Sequence, residues 1–277
     1  METVIKIACQ DEKGLVHKIT GILYDKLLNV TRTNEFVDEA FNQFFMRVSY
    51  VGNCDIDQLN AELKSVLPVD ATVEIIPPAI KRVVLLVTKE HHCLGDLLIR
   101  SQFQDLPFQI EAVIGNHATL EGLCRQFQIP FHLISAEGVT REAHEDLIQQ
   151  QIDAYQPDYI VLAKYMRILT PSFSAKYLGR MINIHHSFLP AFVGAKPYQQ
   201  AFDRGVKIIG ATAHFVTDDL DEGPIICQDV VAVNHSYSAK EMAKAGKDVE
   251  KIVLANALKM VFEDRVFMHQ NKTIIFD

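Results

Sequence analysis

No stretch of this 277-residue chain approaches the ~20 apolar residues that a membrane-spanning helix needs, so no membrane is expected as a partner. A basic excess is missing too. Lys and Arg number 27 against 35 Asp and Glu, a net charge of −8. Neutralising phosphates takes clustered Lys and Arg, which excludes nucleic acid as the main partner and argues against an anionic membrane surface. Paired cysteines are absent: Cys9, Cys54, Cys93, Cys124 and Cys227 are odd in number, scattered and without any CxxC. That pattern reads as reduced thiols in a cytosolic protein. The opening METVIKIACQDEKG has no basic leader and no signal-type cleavage region, so it is expected to be a first strand. The expected compartment is therefore the cytoplasm. Internal repeats and low-complexity stretches do not occur.

What is present is a core-forming composition. Apolar residues make up 48% of the chain, far from the low hydrophobicity of disorder. The length suits two domains. Thr3 to Cys9 alternates and is rich in β-branched residues, as a strand does. Leu15, Ile19, Ile22, Leu23 and Leu27 keep helical spacing. Val30–Val37 and Phe41–Val51 read as strands joined by a hairpin at Asp38-Glu39-Ala40. Asp55 can cap a helix running to about Leu67, with Gln58 placed for a capping box. Thr72–Ile76 is a last strand. The order βαββαβ predicts a ferredoxin-like domain over residues 1–77.

Pro77-Pro78 breaks this pattern and marks a linker. From there the rhythm is strand, helix, strand. Val83–Val87 is a continuous apolar run suited to a strand buried on both faces. Further strands are expected at Gln109–Ile114, Phe131–Ile134, Tyr159–Leu162 and Met181–Ile184, with helices between them, most clearly Arg141–Ala154. Segments Ile208–Phe215 and Ile225–Val233 add β character, and a helix over Ala239–Phe262 closes the domain. The alternation predicts α/β architecture: a doubly wound, mainly parallel, Rossmann-like sheet over residues 82–277. Ligands of such sheets lie beyond the carboxyl ends of the strands.

Three segments at those ends carry chemistry. In Ile182-Asn183-Ile184-His185-His186-Ser187-Phe188-Leu189-Pro190, alternation puts Asn183 and His185 on one side of a strand end. The amide can donate to an oxyanion and the imidazole can exchange a proton near neutral pH. A lone His in such a place is more often a hydrogen-bonded structural residue. In His214-Phe215-Val216-Thr217-Asp218-Asp219-Leu220-Asp221-Glu222-Gly223-Pro224, four carboxylates fall within five positions. A solvated acidic turn accounts for Asp218, Asp219 and Glu222. Asp221, next to Gly-Pro and an apolar strand, is expected to be less free, with its pKa raised by its acidic neighbours so that it takes a proton from water. The segment Leu162 to Leu169 is either a plain connection or a ligand wall whose backbone meets a flat heterocycle, with Met166, Ile168 and Leu169 in apolar contact. His91, His92, Cys93, His185 and His186 lack zinc-ligand spacing, so no metal is expected.

Asn-Ile-His followed by Ser-x-Leu-Pro, then His-Phe-Val-Thr-Asp-x-Leu-Asp-x-Gly-Pro-Ile-Ile, resembles the formyl-transferase fold family of 10-formyltetrahydrofolate enzymes. Glycinamide ribonucleotide transformylase is one member. Residues 1–76 resemble the ACT domain, a regulatory module that usually binds amino acids and commonly pairs. An ACT domain ahead of such a catalytic domain is similar to the members that hydrolyse 10-formyltetrahydrofolate. So is the sequence His185-His186-Ser187-Phe188-Leu189-Pro190-Ala191-Phe192 with Lys207–Phe215.

The resemblance implies catalytic roles for Asn183, His185 and Asp221. It places Tyr165, Met166, Arg167, Ile168 and Leu169 around the folate pteridine, with Thr217 and Asp218 closing the other side. One departure selects among relatives. The transformylase follows its first strand with a Gly-rich phosphate loop, whereas Val83–Val87 is followed here by Thr88-Lys89-Glu90-His91-His92-Cys93-Leu94-Gly95. With no phosphate cradle, water becomes the acceptor, and His92 and His186 are expected to shape the wetter end of the site. The implied activity is hydrolysis of 10-formyltetrahydrofolate to formate and tetrahydrofolate. Folate is then the substrate and no cofactor is expected. An amino-acid effector such as methionine or glycine is expected near Asp11, Gly14 and Leu15, where backbone N–H groups open a helix; a turn with no ligand fits those residues equally well. A homo-oligomer is expected. The competing readings are a formyltransferase with an amine acceptor and a non-catalytic amino-acid sensor.

Overall fold

The computed structural model of the chain describes residues 2–191 and 197–277. Met1 and Phe192, the last residue of the His185–Phe192 motif, lie outside the described residues. The chain divides into two compact units, Met1–Ala79 with Phe276–Asp277, and Ile80–Ile275.

In the first unit, β1 (Thr3–Gln10), α1 (Leu15–Asp25), β2 (Asn29–Asp38), β3 (Gln43–Val51), α2 (Ile56–Val66) and β4 (Thr72–Ile76) follow the expected βαββαβ order. The sheet is antiparallel with strand order β2-β3-β1-β4. Ile5, Ile7 and Cys9 alternate along β1 and meet Leu15, Ile19 and Leu23 of α1 and Leu59 and Leu63 of α2. Asp55 accepts the Gln58 backbone N–H at 2.9 Å, so the cap forms. The reciprocal arm of a capping box is not made, because the Gln58 amide donates to Glu62 at 2.8 Å instead. The third strand begins at Gln43 rather than Phe41. The Phe41 N–H closes a turn on the Asp38 carbonyl, and Asn42 takes a left-handed φ of 50°.

The second unit contains β5 (Lys81–Val87), α3 (His92–Gln102), β6 (Phe108–Gly115), α4 (Glu121–Gln126), β7 (Phe131–Leu133), α5 (Arg141–Tyr155), β8 (Tyr159–Leu162), α6 (Pro171–Lys176), β9 (Met181–His185), α7 (Pro197–Arg204), β10 (Ile208–Phe215), β11 (Ile225–Ala232), α8 (Ala239–Phe262), β12 (Val266–His269) and β13 (Lys272–Ile275). Seven strands form one sheet in the order β11-β10-β9-β8-β5-β6-β7. Strands β5 to β9 are parallel, while β10 runs against β9 and β11 against β10. Strands β12 and β13 pair as a separate hairpin beyond the strands expected from the sequence.

Strand β5 explains its own apolar run. Val83, Leu85 and Val87 pack with residues of α3 and α8, and Val84 and Leu86 pack with residues of α5 and α6. The two helical layers therefore lie on opposite faces of the sheet. The chain runs outward through β6 and β7, then returns to β8 on the other side of β5. That reversal opens a crevice at the carboxyl ends of β5 and β8, where such folds bind ligands. Among the described residues, no helix is long and apolar enough to cross a membrane.

Candidate active site

A cleft of about 320 Å³ lies at this end of the sheet. Its walls are Lys164 to Leu169 after β8, Asn183, His185 and His186 at the end of β9, His214 of β10, and Val216 to Asp221 after β10. Its size suits a drug-sized ligand. Tyr165, Met166, Arg167, Ile168, Leu169, Thr217 and Asp218 all line it.

The β9–β10 ladder builds the polar floor. Its antiparallel register sets His214 opposite Asn183 and Thr212 opposite His185. The His214 Nδ1–H donates to the Phe215 carbonyl at 2.8 Å, since a carbonyl can only accept. Burial pushes the His214 pKa down, so the ring is neutral and Nε2 carries a lone pair. The Asn183 Nδ2 lies 3.3 Å from that Nε2 and donates to it. This orients the amide and leaves it a second N–H. The motif around His214 gives it no role by itself, because the pairing of β9 with β10 is not local information.

His185 is buried, and its Nδ1 lies 3.2 Å from the Asp221 Oδ1. A carboxylate only accepts, so Nδ1 carries the proton. The other ring nitrogen, Nε2, is buried and has no partner among the described residues. Asp221 reaches this position from a left-handed backbone, φ 58°. Gly223 makes the approach possible: a Cβ there would lie 1.8 Å from the Phe215 carbonyl oxygen. The Phe215 N–H then donates to the Pro224 carbonyl at 2.9 Å and pins the returning chain.

The electrostatics of Asp221 differ from expectation. Burial by itself would raise its pKa. The His185 hydrogen bond, with the electrostatic influence of the surrounding imidazoles, outweighs that and holds it below its ordinary 3.8. Asp218, Asp219 and Glu222 do not govern it, so the expected upward shift from acidic neighbours is overturned. His186 stacks on His185 with ring centroids 5.0 Å apart. Burial, with the Lys164 and His185 charges, lowers the His186 pKa from 6.5 to about 4.

His92 does not join the cleft, contrary to the expectation that it shapes the wetter end. It opens α3, is buried, and lies 2.7 Å from Glu250 of α8. Glu250 also meets the Lys164 Nζ at 3.2 Å and accepts from the Tyr198 hydroxyl at 2.6 Å. Burial opposes ionisation of Glu250, but these partners hold its pKa at about 2. Glu250 stands among Lys244, Lys247, Asp248 and Lys251, so the local composition does not single it out. Helix phase offered the signal: Gly246, Val249, Val253 and Leu254 form a buried stripe around it.

The same cluster is the place to test for a metal. His92, Cys93 and Glu250 bring ligand atoms within 4.8 Å of one another. The donor set fits poorly. Burial pushes the Cys93 thiol well up, and the Lys164 ammonium already faces the carboxylate. In the first unit, Gly14 caps α1 with φ 91°, a conformation that suits glycine. Leu15 is a core residue, so what it offers a ligand is its backbone N–H.

The formyl transferase family model matches residues 81–258. The formyltetrahydrofolate deformylase of Escherichia coli (strain K12) is 55% identical over 98% of this chain and 97% of that protein. The crystal structure of a formyltetrahydrofolate deformylase from Pseudomonas syringae superposes with a TM-score of 0.94 at 40% identity, over 100% of this chain and 95% of that one. Glycinamide ribonucleotide transformylase 1 from Symbiobacterium toebii gives a TM-score of 0.70 at 27% identity, over 73% of this chain and 97% of that one.

Proposed function

The chain belongs to the formyltetrahydrofolate deformylase family, and from that premise we infer that its cleft hydrolyses 10-formyltetrahydrofolate through Asn183, His185 and Asp221. The observation that carries the assignment of residues is the His185 pair: Nδ1 bound to Asp221 at 3.2 Å, and Nε2 buried without a partner in a cleft wall. The folate lies between the 164–169 wall and the Thr217–Asp218 side, with its formyl group over Asn183 and His185. Asp221 orients a water and, with His185, takes one of its protons. The water oxygen bonds to the formyl carbon, and the carbonyl electrons move onto oxygen. The free Asn183 N–H stabilises that oxyanion, as does Nε2–H when His185 is protonated. The proton passes to N10, the C–N bond breaks, and formate leaves, its acidic proton going to solvent. No redox step occurs, so the scheme uses neither nicotinamide nor flavin. The formate feeds the one-carbon pool for purine synthesis.

In the same reading the first unit is an ACT module that binds an amino-acid effector. Methionine or glycine would place its carboxylate at the backbone N–H groups around Gly14 and Leu15, near Asp11, and copies of the module pair. The decisive assay incubates the purified chain with 10-formyltetrahydrofolate alone and follows formate and tetrahydrofolate. Catalytic release is expected. Release only after glycinamide ribonucleotide or another amine is added would make the chain a transferase instead. Titration calorimetry with methionine and glycine tests the effector; no heat from either would leave the first unit as a pairing module.

A further inference from the structure

The segment between β8 and α6 has no regular structure of its own, yet it forms one wall of the cleft. Three side chains from other elements hold it. At its start, Lys164 takes φ 64°, a left-handed conformation unfavourable for any residue with a Cβ. Its ammonium is tied to Glu250, whose side chain is only 1% exposed. Tyr198 can reach the same carboxylate because Gly246, one turn earlier on α8, leaves room. A Cβ at Gly246 would lie 2.1 Å from the Tyr198 hydroxyl. In the middle, the Met166 N–H donates to the Thr88 hydroxyl at 2.9 Å. At the far end, the Thr170 N–H donates to Glu145 of α5 at 2.8 Å, and the Thr170 hydroxyl donates to its other oxygen. Glu145 is 5% exposed.

A buried carboxylate is costly unless it is fully paired. Here two of them, one from each helical layer, reach over the end of the sheet to opposite ends of one loop. We propose that Glu250 and Glu145 are positioning residues that clamp the 164–170 loop into the shape that receives the folate, without touching the folate. This rests on the reading that the cleft takes that substrate. The clamp holds a binding surface rather than the reacting groups, so loosening it raises KM more than it lowers kcat.

The test uses the full chain and the variants Glu145→Ala, Glu145→Gln, Glu250→Ala and Glu250→Gln. It reads KM and kcat for 10-formyltetrahydrofolate, the Kd of tetrahydrofolate by calorimetry, and the thermal midpoint. Each alanine variant is expected to raise KM and Kd about tenfold, as loss of a charged hydrogen-bond partner does, with kcat within about threefold. Glu145→Gln keeps an acceptor for the Thr170 N–H and recovers most of the loss. Lower thermal midpoints with KM and Kd unchanged would reduce both residues to structural ones and overturn the proposal. So would a fall in kcat at constant KM. Should the alanine variants fail to fold, Thr170→Val and Tyr198→Phe weaken each clamp and are expected to raise Kd about threefold; no rise overturns it. Wild-type chain that binds tetrahydrofolate but releases no formate sinks the hydrolase reading alone. Wild-type chain that does not bind tetrahydrofolate sinks both.

Discussion

The second unit holds two buried histidine–carboxylate clusters built from the same kinds of residue. One joins His185, Asp221, His214 and Asn183, and the other joins His92, Glu250, Lys164 and Tyr198. Asp221 keeps 13% of its side chain exposed, whereas Glu250 keeps 1%. Each imidazole also leaves one nitrogen without a hydrogen bond. For His92 that nitrogen lies 3.7 Å from Glu90, whose carboxylate is engaged by Lys247. For His185 it belongs to a ring that lines the cleft. Residue type therefore does not separate a reacting cluster from a supporting one. What separates them is that the His185 ring lines the cleft and the His92 ring does not.

The largest contrast should come from the two histidines. His185→Ala is expected to lower kcat by about 10³–10⁴, since it removes both a proton carrier and an oxyanion partner. Tetrahydrofolate should still bind within about threefold of wild type. His92→Ala should keep kcat within about tenfold and lower the thermal midpoint instead. Equal kcat losses at the two positions would collapse the comparison. Asp221→Asn comes next, with kcat down about 10²–10³ while calorimetry finds folate affinity little changed.

The closed cluster should answer in stability. Glu250→Ala leaves the Lys164 ammonium buried without its partner and is expected to cost about 3–5 kcal/mol in urea denaturation. A loss under ~1 kcal/mol would mean that water replaces the carboxylate and the cluster is not closed.

The smallest effect is a pH slope. His186 has a folded pKa of about 4 against an ordinary 6.5, so the unfolded chain binds the extra proton between those values. Stability should therefore fall as pH drops from 6.5 to about 4, by up to ~3 kcal/mol from this group. Glu250 adds a further loss only lower, as pH falls from 4.5 towards about 2. His186→Gln should flatten the slope above pH 4. An unchanged slope would assign it to another group.

Much of the site could be read along the chain because its cues are local. The two-residue spacing of Asn183 and His185 on β9 put both on the cleft, and the stretch Tyr165–Leu169 lines it as a wall. The βαββαβ order and the β5 apolar run were equally legible from strand and helix periods. The failures share one cause. The reach of Gln58 to Glu62, the start of β3, the location of His92 and the direction of the Asp221 shift all depend on which groups compete for a partner in space.

By itself the sequence determined the two kinds of element pattern and which polar residues stand at the strand ends, since periodicity and backbone chemistry act over a few residues. Only the tertiary structure decided that β10 runs against β9 with His214 beside Asn183, and that the phase of α8 turns Glu250 inward to Lys164. Strand neighbours and helix facing are settled by packing between segments far apart in the chain. The charge of a buried group then follows from whatever that packing brings within a few ångströms of it.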